Sequence, residues 1–411
     1  MTPPRSVPSP RHQPPRAQHR LVSALALPTL LATSALSLAD AAPDPTSAST
    51  FARGLPTSPE FFPIAVWLQP PARAQAYRNA GFNLYVGLWR GPTNAQLDTL
   101  RDVGMRVICD QNEVGRRRLD DPTIVAWMHG DEPDNAQSLG PGKGYGPPIP
   151  PAKVIADYQQ MRQQDPSRPV LLNLGQGVAW DDWHGRGVRT RHPEDYLEYV
   201  QGADIVSFDI YPVTHDRPAV SSNLWYVARG VERLIEWTGG RKPVWNCIEC
   251  TRISHPTAKP TPHHVRAEVW MSLIHGSRGL IYFVHEWQPR FNESALLDDP
   301  EMLAAVSRLN HQIHRLAPVL NSPSLPHLAR VTTEPADVPV AFAVKQHGDA
   351  TYLFAVAMRD RPVQARFTLE PATPARPVEV LGEDRSIPVV DGTFTDTFHG
   401  WDVHLYRLPP P

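Results

Sequence analysis

The first three quarters of the chain alternate between short apolar runs and segments of helical periodicity. The apolar runs are five to seven residues long, nearly continuous in hydrophobic character and rich in β-branched side chains. This pattern is typical of parallel strands that are buried on both faces. It predicts eight strands, at residues 62–67, 82–88, 105–109, 124–129, 170–174, 204–209, 244–248 and 279–285.

A helical segment follows each of these strands. Pro262 and Pro300 stand at first helical turns, and Gly104 and Gly239 come just after helix ends. Eight strand–helix units within residues 59–322 predict an α/β fold, the (β/α)8 TIM barrel. An open doubly wound sheet is the alternative, but residues 68–71 lack the glycine-rich turn expected after its first strand. The predicted helices are 71–80, 93–103, 113–119, 152–164, 193–201, 222–237, 261–276 and 300–316.

The pattern changes after Pro326. Alternating apolar and polar segments are now separated by Gly, Asp and Pro turns, without an intervening segment of helical period. This predicts a small C-terminal antiparallel β-sandwich domain over residues 325–411. Its predicted strands are 328–332, 338–345, 351–358, 363–369, 377–381, 392–398 and 401–408.

The N-terminal region has the pattern of a targeting segment. Basic residues before Leu21 are followed by an apolar stretch up to Ala39, and Ala39 and Ala41 fit an Ala-x-Ala cleavage pattern. We therefore expect a signal peptide at 1–41, a Pro/Thr/Ser-rich linker at 42–58 and a secreted or periplasmic protein. An uncleaved membrane anchor is the alternative, because the apolar stretch approaches spanning length.

The overall charge is close to balanced, with 40 basic and 42 acidic side chains and a formal net charge of −2. Nucleic acid and anionic membranes are therefore not expected as partners, and the oligomeric state stays open. We expect no metal and no cofactor, because the histidines lack ligand spacing and Cys247-x-x-Cys250 has no second cysteine pair. One disulfide among Cys109, Cys247 and Cys250 is possible in an oxidising compartment.

Carboxylic acids stand at the ends of several predicted strands. The carboxyl ends of barrel strands face the active site, so these acids are the candidates for chemistry. Hydrolysis of a glycosidic bond needs one protonated carboxyl and one ionised carboxylate, and Glu reaches further into a central pocket than Asp. Glu132 and Glu249 are therefore the favoured catalytic pair. The strand-end acids are Asp110, Asp131, Glu132, Asp209, Glu249 and Glu286.

An acid after strand 4 and another after strand 7 make residues 60–320 resemble glycoside hydrolase clan A, the retaining barrel glycosidases. The resemblance implies that Glu132 is the acid/base and Glu249 the nucleophile. It also implies that Tyr211 hydrogen-bonds the nucleophile and that Trp287 forms an aromatic platform under the sugar. One position departs from the pattern, because Asp131 stands where that clan usually has Asn.

Further residues are candidate contacts for an oligo- or polysaccharide substrate. Asp131, Asp209 and Glu286 could bind sugar hydroxyls, whereas Trp67 and Trp89 could stack on the apolar faces of sugar rings. The residues 180–183, Trp-Asp-Asp-Trp, suit a more distant subsite. The sugar, the linkage and endo or exo action stay open.

Two other interpretations remain. His129-Gly-Asp-Glu132 also resembles the Asp–Glu pair of barrel hexosaminidases, in which the acetamido group of the substrate is the nucleophile and Glu249 would only bind substrate. A carbohydrate-binding barrel without catalysis is the second. Retaining catalysis by Glu132 and Glu249 requires their carboxyl groups to lie about 5 Å apart across one pocket.

Overall fold

The computed structural model describes residues 51–370 and 377–408. Eight parallel strands form one sheet in the order β6-β5-β4-β3-β2-β1-β8-β7. A bridge between Val206 and Val244 joins β6 to β7, so the sheet closes into the predicted barrel. The strands are β1 Ile64–Trp67, β2 Leu84–Val86, β3 Arg106–Asp110, β4 Ile124–Met128, β5 Val170–Leu174, β6 Ile205–Phe208, β7 Asn246–Glu249 and β8 Leu280–Phe283.

Helices cover the outside of the barrel, and their ends follow the local sequence signals. Thr93 accepts from the backbone of Gln96 at the start of the second helix, and Gly104 ends it with a φ of 72°. The predicted fifth helix is reduced to one short α-helical segment between 3-10 turns. The helices are α1 Ala74–Asn79, α2 Asn94–Val103, α3 Glu113–Arg117, α4 Pro151–Gln164, α5 Tyr196–Tyr199, α6 Trp225–Thr238, α7 Pro262–Ile274 and α8 Pro300–Leu320.

Side chains fill the interior of the barrel, so it is a packed core below the strand ends. Ala65, Val86 and Ile281 belong to this inner cluster, whereas neighbouring residues such as Ile64 and Val66 pack outward under the helices. The division follows the two-residue period of a strand. Only groups near the carboxyl ends of the strands can therefore face open space.

The C-terminal domain is a β-sandwich, as predicted. One sheet has the order β10-β11-β16-β13-β14 and the other the order β15-β12-β9. Strand β14 was not predicted, because three residues with one apolar side chain give no alternation to recognise. The strands are β9 Ala329–Glu334, β10 Val340–His347, β11 Ala350–Ala357, β12 Val363–Leu369, β13 Val378–Val380, β14 Arg385–Ile387, β15 Thr393–Phe398 and β16 Val403–Leu408.

The sandwich is joined to the barrel by an apolar interface. Phe354, Val356 and Leu405 of the five-stranded sheet belong to the same buried cluster as the barrel helices. The rings of Trp270 in α7 and Phe354 in β11 lie 5.0 Å apart. The continuous core supports a packing role for this domain.

The predicted signal peptide and the first part of the linker, residues 1–50, lie outside the described residues. Residues 51–58 do not form a free connection, which corrects the linker prediction for this part. The amide of Arg53 donates to the carbonyl of Ser167, and Leu55 packs under the inner barrel cluster. Within the described ranges, no helix combines the length and apolar character needed to cross a bilayer. Cys109, Cys247 and Cys250 are all buried and unpaired, so the possible disulfide does not form.

Candidate active site

A cavity of about 540 Å³ opens at the carboxyl ends of the barrel strands. It combines three carboxylic acids, three amides and several aromatic rings, in the position where barrel enzymes place their active sites. Its lining consists of Trp67, Asp131, Glu132, Asn173, Gln176, Trp183, Asp209, Tyr211, Cys247, Ile253, Ser254, Phe283, Trp287 and Gln288.

Glu132 stands at the turn that leaves β4. Its φ of 43° lies in the left-handed region, which non-glycine residues rarely adopt and which often marks a functional position. The turn is held on both sides: the amide of Glu132 donates to the carbonyl of Asn173, and the side chain of Gln137 donates to the carbonyl of Glu132. The local strain is thus fixed by neighbouring loops, and the carboxyl group is aimed into the cavity.

Glu132 and Asp209 share a hydrogen bond across the cavity floor. Burial, followed by the nearby charge of Asp209, raises the pKa of Glu132 well above its ordinary value. Burial also raises the pKa of Asp209 to about 7, although the hydrogen bond from Glu132 opposes that shift. The proton therefore resides on Glu132, which donates to the more acidic Asp209.

Asp131 is the third acid of the cavity and the most exposed of the three. The side-chain amide of Asn173 donates from Nδ2 to Asp131 over 3.0 Å, and the hydroxyl of Ser207 donates to Oδ1 of the same Asn173 side chain over 2.8 Å. Partial removal of its carboxyl group from water raises the pKa of Asp131 to about 6, and the nearby charge of Asp134 adds to this shift. Asn173 thus fixes the orientation of Asp131. Sequence reasoning missed Asn173, although an amide within an apolar strand is a visible signal.

Asp134 anchors the loop that carries these acids. It is fully buried, and its carboxylate accepts from the amide of Gly175 over 2.9 Å and from the hydroxyl of Tyr196 over 2.7 Å. These bonds tie the loop after β4 to the loop after β5. Asp134 therefore serves to position the cavity acids from behind.

Tyr211 lies in the cavity, but beside a different acid from the one expected. Its hydroxyl hydrogen-bonds Asp209, and Cys247 of β7 lies next to it on the cavity floor. The predicted contact between Tyr211 and a Glu249 nucleophile is therefore replaced by a contact with Asp209.

Aromatic rings stand on two sides of the cavity. Trp287 is 41% exposed and stacks on Phe283 with an interplanar angle of 17°. On the other side, the indole N–H of Trp183 donates to Asn135 over 2.8 Å, which orients that ring. Trp67 lies at the bottom and is nearly buried. Exposed ring faces held in fixed orientations suit the apolar faces of sugars.

Glu249 does not line this cavity, which corrects the predicted pairing with Glu132. It is fully buried, and its carboxylate accepts from the amide of Val213 over 2.5 Å, and from the amide and hydroxyl of Thr214 over 3.0 and 2.7 Å. Glu268 of α7 hydrogen-bonds it from behind. The last residue of β7 is thus turned toward the loop after β6 and toward α7, because those elements supply donors.

Two predicted substrate contacts also lie outside the cavity lining. Trp89 is 64% exposed in the loop after β2, with the guanidinium of Arg90 5.7 Å from its ring centre. Glu286 is held by backbone bonds with Asn292, in the loop that presents Trp287. Among residues 51–370 and 377–408, no group of three or more His, Cys, Asp or Glu side chains is arranged to hold a metal ion.

Neither a protein-family model nor a curated protein sequence matches the chain. Solved structures do. The α-amylase of Geobacillus thermoleovorans in complex with acarbose is 12% identical, with 86% of this chain and 99% of that chain covered and a TM-score of 0.50. AmyP in complex with maltose is 9% identical, with coverage of 86% and 97% and a TM-score of 0.50.

A candidate α-galactosidase/melibiase from Bacteroides fragilis is 10% identical, with 85% of this chain and 79% of that chain covered and a TM-score of 0.51. At such identities the likeness concerns the fold. The predicted barrel followed by a β-sandwich, and its resemblance to glycoside hydrolase barrels, are thereby confirmed at that level.

Proposed function

We propose that this protein is a glycoside hydrolase that cleaves O-glycosidic bonds of an oligo- or polysaccharide in the cavity at the carboxyl end of the barrel. The observation that carries the proposal is the protonated Glu132 hydrogen-bonded to Asp209, facing open space between aromatic rings. A carboxyl kept protonated near neutral pH is the group that can protonate a glycosidic oxygen. The shared fold with an α-amylase adds support.

Glu132 acts as the general acid and Asp209 as the second carboxylate. Glu132 donates its proton to the leaving oxygen, while Asp209 attacks the anomeric carbon and forms a glycosyl ester. Glu132, now ionised, removes a proton from water, which hydrolyses that ester and restores both groups. The two carboxyl groups are in hydrogen-bond contact, whereas double displacement needs a separation of about 5 Å, so the entering sugar must part them. Asp209 replaces Glu249 in this role because Glu249 has no access to the cavity.

A substrate-assisted reaction is the second candidate, and the position of Glu249 favours it. With Glu249 outside, the acids of the cavity are Asp131, Glu132 and Asp209. Asp131 is oriented by Asn173 and could position a 2-acetamido group, whose carbonyl oxygen would then attack in place of a protein carboxylate. Glu132 is the general acid in both reactions.

A panel of aryl glycosides tests the proposal, with matched 2-hydroxy and 2-acetamido sugars and with NMR of the first product anomer. Double displacement predicts turnover of 2-hydroxy sugars with retention, and azide rescue of Asp209→Gly as a glycosyl azide. Turnover restricted to 2-acetamido sugars would establish the substrate-assisted route. The proposal would be overturned if the protein binds sugars but turns over no member of the panel, and if Glu132→Gln leaves that binding unchanged. The protein would then be a carbohydrate-binding barrel.

We also propose export with loss of residues 1–41, on the strength of the basic, apolar and Ala-x-Ala pattern. N-terminal sequencing of the protein recovered outside the cytoplasm should then begin at Ala42. An intact N-terminus in a membrane fraction would instead support an anchor.

A further inference from the structure

A second cavity, of about 620 Å³, lies where α7 and α8 meet the β-sandwich. Two segments of the barrel and Gly382 of the sandwich form its walls. Its polar lining is mainly basic, with three arginines and two histidines, whereas the three acids of the first cavity have no counterpart among its lining residues. The two cavities therefore select ligands of different charge. The basic residues are His263, Arg266, Arg308, His311 and Arg315.

Arg308 and Arg315 present free guanidinium groups along one face of α8. They are seven residues apart, which places them on the same side of the helix and about 10 Å apart along its axis. Both are exposed, and within the described ranges neither makes a salt bridge or a side-chain hydrogen bond. Several other arginines of the barrel surface are bound to an acid, such as Arg233 to Asp181 over 2.8 Å. Two uncompensated charges on one wall leave both guanidinium groups available to an anionic ligand.

The opposite wall is rigid. Arg266 of α7 donates to Gln312 over 3.0 Å and to the carbonyl of Val403 over 3.4 Å. The ring of His263 contacts the carbonyl of Gly400 over 2.7 Å, and Asp402 lies 3.9 Å from it. Barrel and sandwich are thus fastened together beside the groove. Its shape is set before a ligand arrives, which lowers the entropy lost on binding.

The groove also contains apolar surface between the basic groups, provided by the partly exposed Pro262 above the buried Val265 and Leu309. Carbohydrate rings present C–H faces together with charged substituents, so a mixed lining of this kind suits them. Nucleic acid fits less well, because the lining contains no Trp, Tyr or Phe ring on which bases could stack and the net charge of the chain is −2.

We propose that this groove binds an anionic polysaccharide, one that carries carboxylate or sulfate groups, at a site separate from the cavity with Glu132. Arg308 and Arg315 bind successive anionic groups along the chain, and the apolar wall contacts the rings between them. The inference extends the proposed carbohydrate function, but binding here does not depend on cleavage at the first cavity.

The test compares two double variants of the full chain that lose the same charge. Arg308→Gln/Arg315→Gln removes the free guanidinium groups from the groove, whereas Arg73→Gln/Arg366→Gln removes two exposed arginines elsewhere. Affinity electrophoresis and calorimetry at low salt use polygalacturonate, dextran sulfate and neutral dextran as probes. We expect binding of at least one polyanion but not of dextran, a loss of about tenfold or more in the groove variant, and little change in the control variant.

Three outcomes would overturn the proposal. The first is that neither polyanion binds the unaltered protein, and the second is that both double variants weaken binding equally, which would indicate only non-specific attraction. The third is that duplex DNA binds more tightly than either polysaccharide and competes for the groove. Glu132→Gln should keep polyanion binding, so failure of the cleavage proposal and failure of this one are separable. The melting temperature of each variant checks that it is folded.

Discussion

Two pairs of buried carboxyl groups lie near the carboxyl end of the barrel, and they differ in what surrounds them. Glu132 and Asp209 face a cavity, and one oxygen of Asp209 has no hydrogen-bond partner among the described residues. Glu249 and Glu268 are both fully buried, and Glu249 already accepts three hydrogen bonds from residues 213 and 214. Both pairs hold a proton between two acids. A raised pKa therefore does not locate an active site without an open face beside the titrating groups.

Glu249 and Glu268, here called the closed pair, have a structural role that follows from their contacts. Glu249 fastens the loop after β6 to the end of β7, and Tyr211 in that loop reaches the cavity. Neither oxygen of Glu268 receives a donor among the described residues, and burial raises its pKa well above the ordinary value. Glu268 stays protonated and donates to Glu249. The closed pair thus helps to position Glu132 and Asp209, the open pair that faces the cavity.

The largest expected effect is on activity, which should depend on Glu132 of the open pair and hardly on Glu249 of the closed pair. Glu132→Gln removes the proton donor, so kcat on an unactivated glycoside should fall by about a thousandfold. Glu249→Gln keeps the shape and an acceptor for residues 213 and 214, so the activity of its folded fraction should stay within about fivefold. Steady-state kinetics on purified, folded variants provides the measurement. Equal losses in both variants would mean that Glu249 enters the reaction.

The free energy of unfolding should depend on the closed pair more than on the open pair, which is the reverse of the effect on activity. Glu249→Ala leaves the amides of Val213 and Thr214 and one hydroxyl without their acceptor, which should lower the free energy of unfolding by about 3 kcal/mol. Asp209→Asn removes a charge from a crowded acidic site and should raise it by about 1 kcal/mol. Urea unfolding measures both changes. A stabilised Glu249→Ala would contradict the structural role of the closed pair.

The pH dependence of stability offers a finer comparison. Burial raises the pKa of Glu249 to about 7 in the folded state, above its ordinary 4.5. Between these values the folded state binds more protons at Glu249 than the unfolded state, so the contribution of Glu249 to stability is fully present below about pH 4.5 and is lost as the pH rises through about 7. Glu249→Gln should flatten that fall. Melting temperatures measured across this pH range test the expectation. Glu236→Gln, on the surface of α6, is the control. Parallel curves for wild type and Glu249→Gln would show that protonation of Glu249 is not coupled to folding.

The smallest effect concerns the aromatic walls. Trp287 lines the cavity and Trp89 does not, although both are exposed. Trp287→Ala should raise KM by about tenfold through the loss of ring stacking, while Trp89→Ala should change it less than twofold. The two variants are matched in chemistry and differ in position. Similar KM values for both would show that substrate extends over the loop after β2, or that it avoids Trp287.

Much of the fold was predictable because burial of strands and helices sets the spacing of apolar residues along the sequence. All eight barrel strands occur with ends within two residues of the predicted ones, and the change to alternation after Pro326 marks the sandwich. Strand β14 and the fragmented fifth helix were harder, since three or four residues carry too little periodicity. The placement of Asp131, Glu132 and Asp209 at the cavity followed from strand position, and that of Tyr211 and Trp287 from the family resemblance.

The sequence by itself determined that Glu132 and Glu249 both end barrel strands, because apolar runs mark the strands and acids mark their ends. Only the tertiary structure decided which of the two faces open space. The side chain of Glu249 is directed by donors in Val213 and Thr214, 36 and 35 residues earlier in the chain, and by Glu268 in the following helix. No local pattern specifies such contacts. Glu132, held in a left-handed turn by the neighbouring strand, faces the cavity together with Asp209, which the sequence had ranked lower.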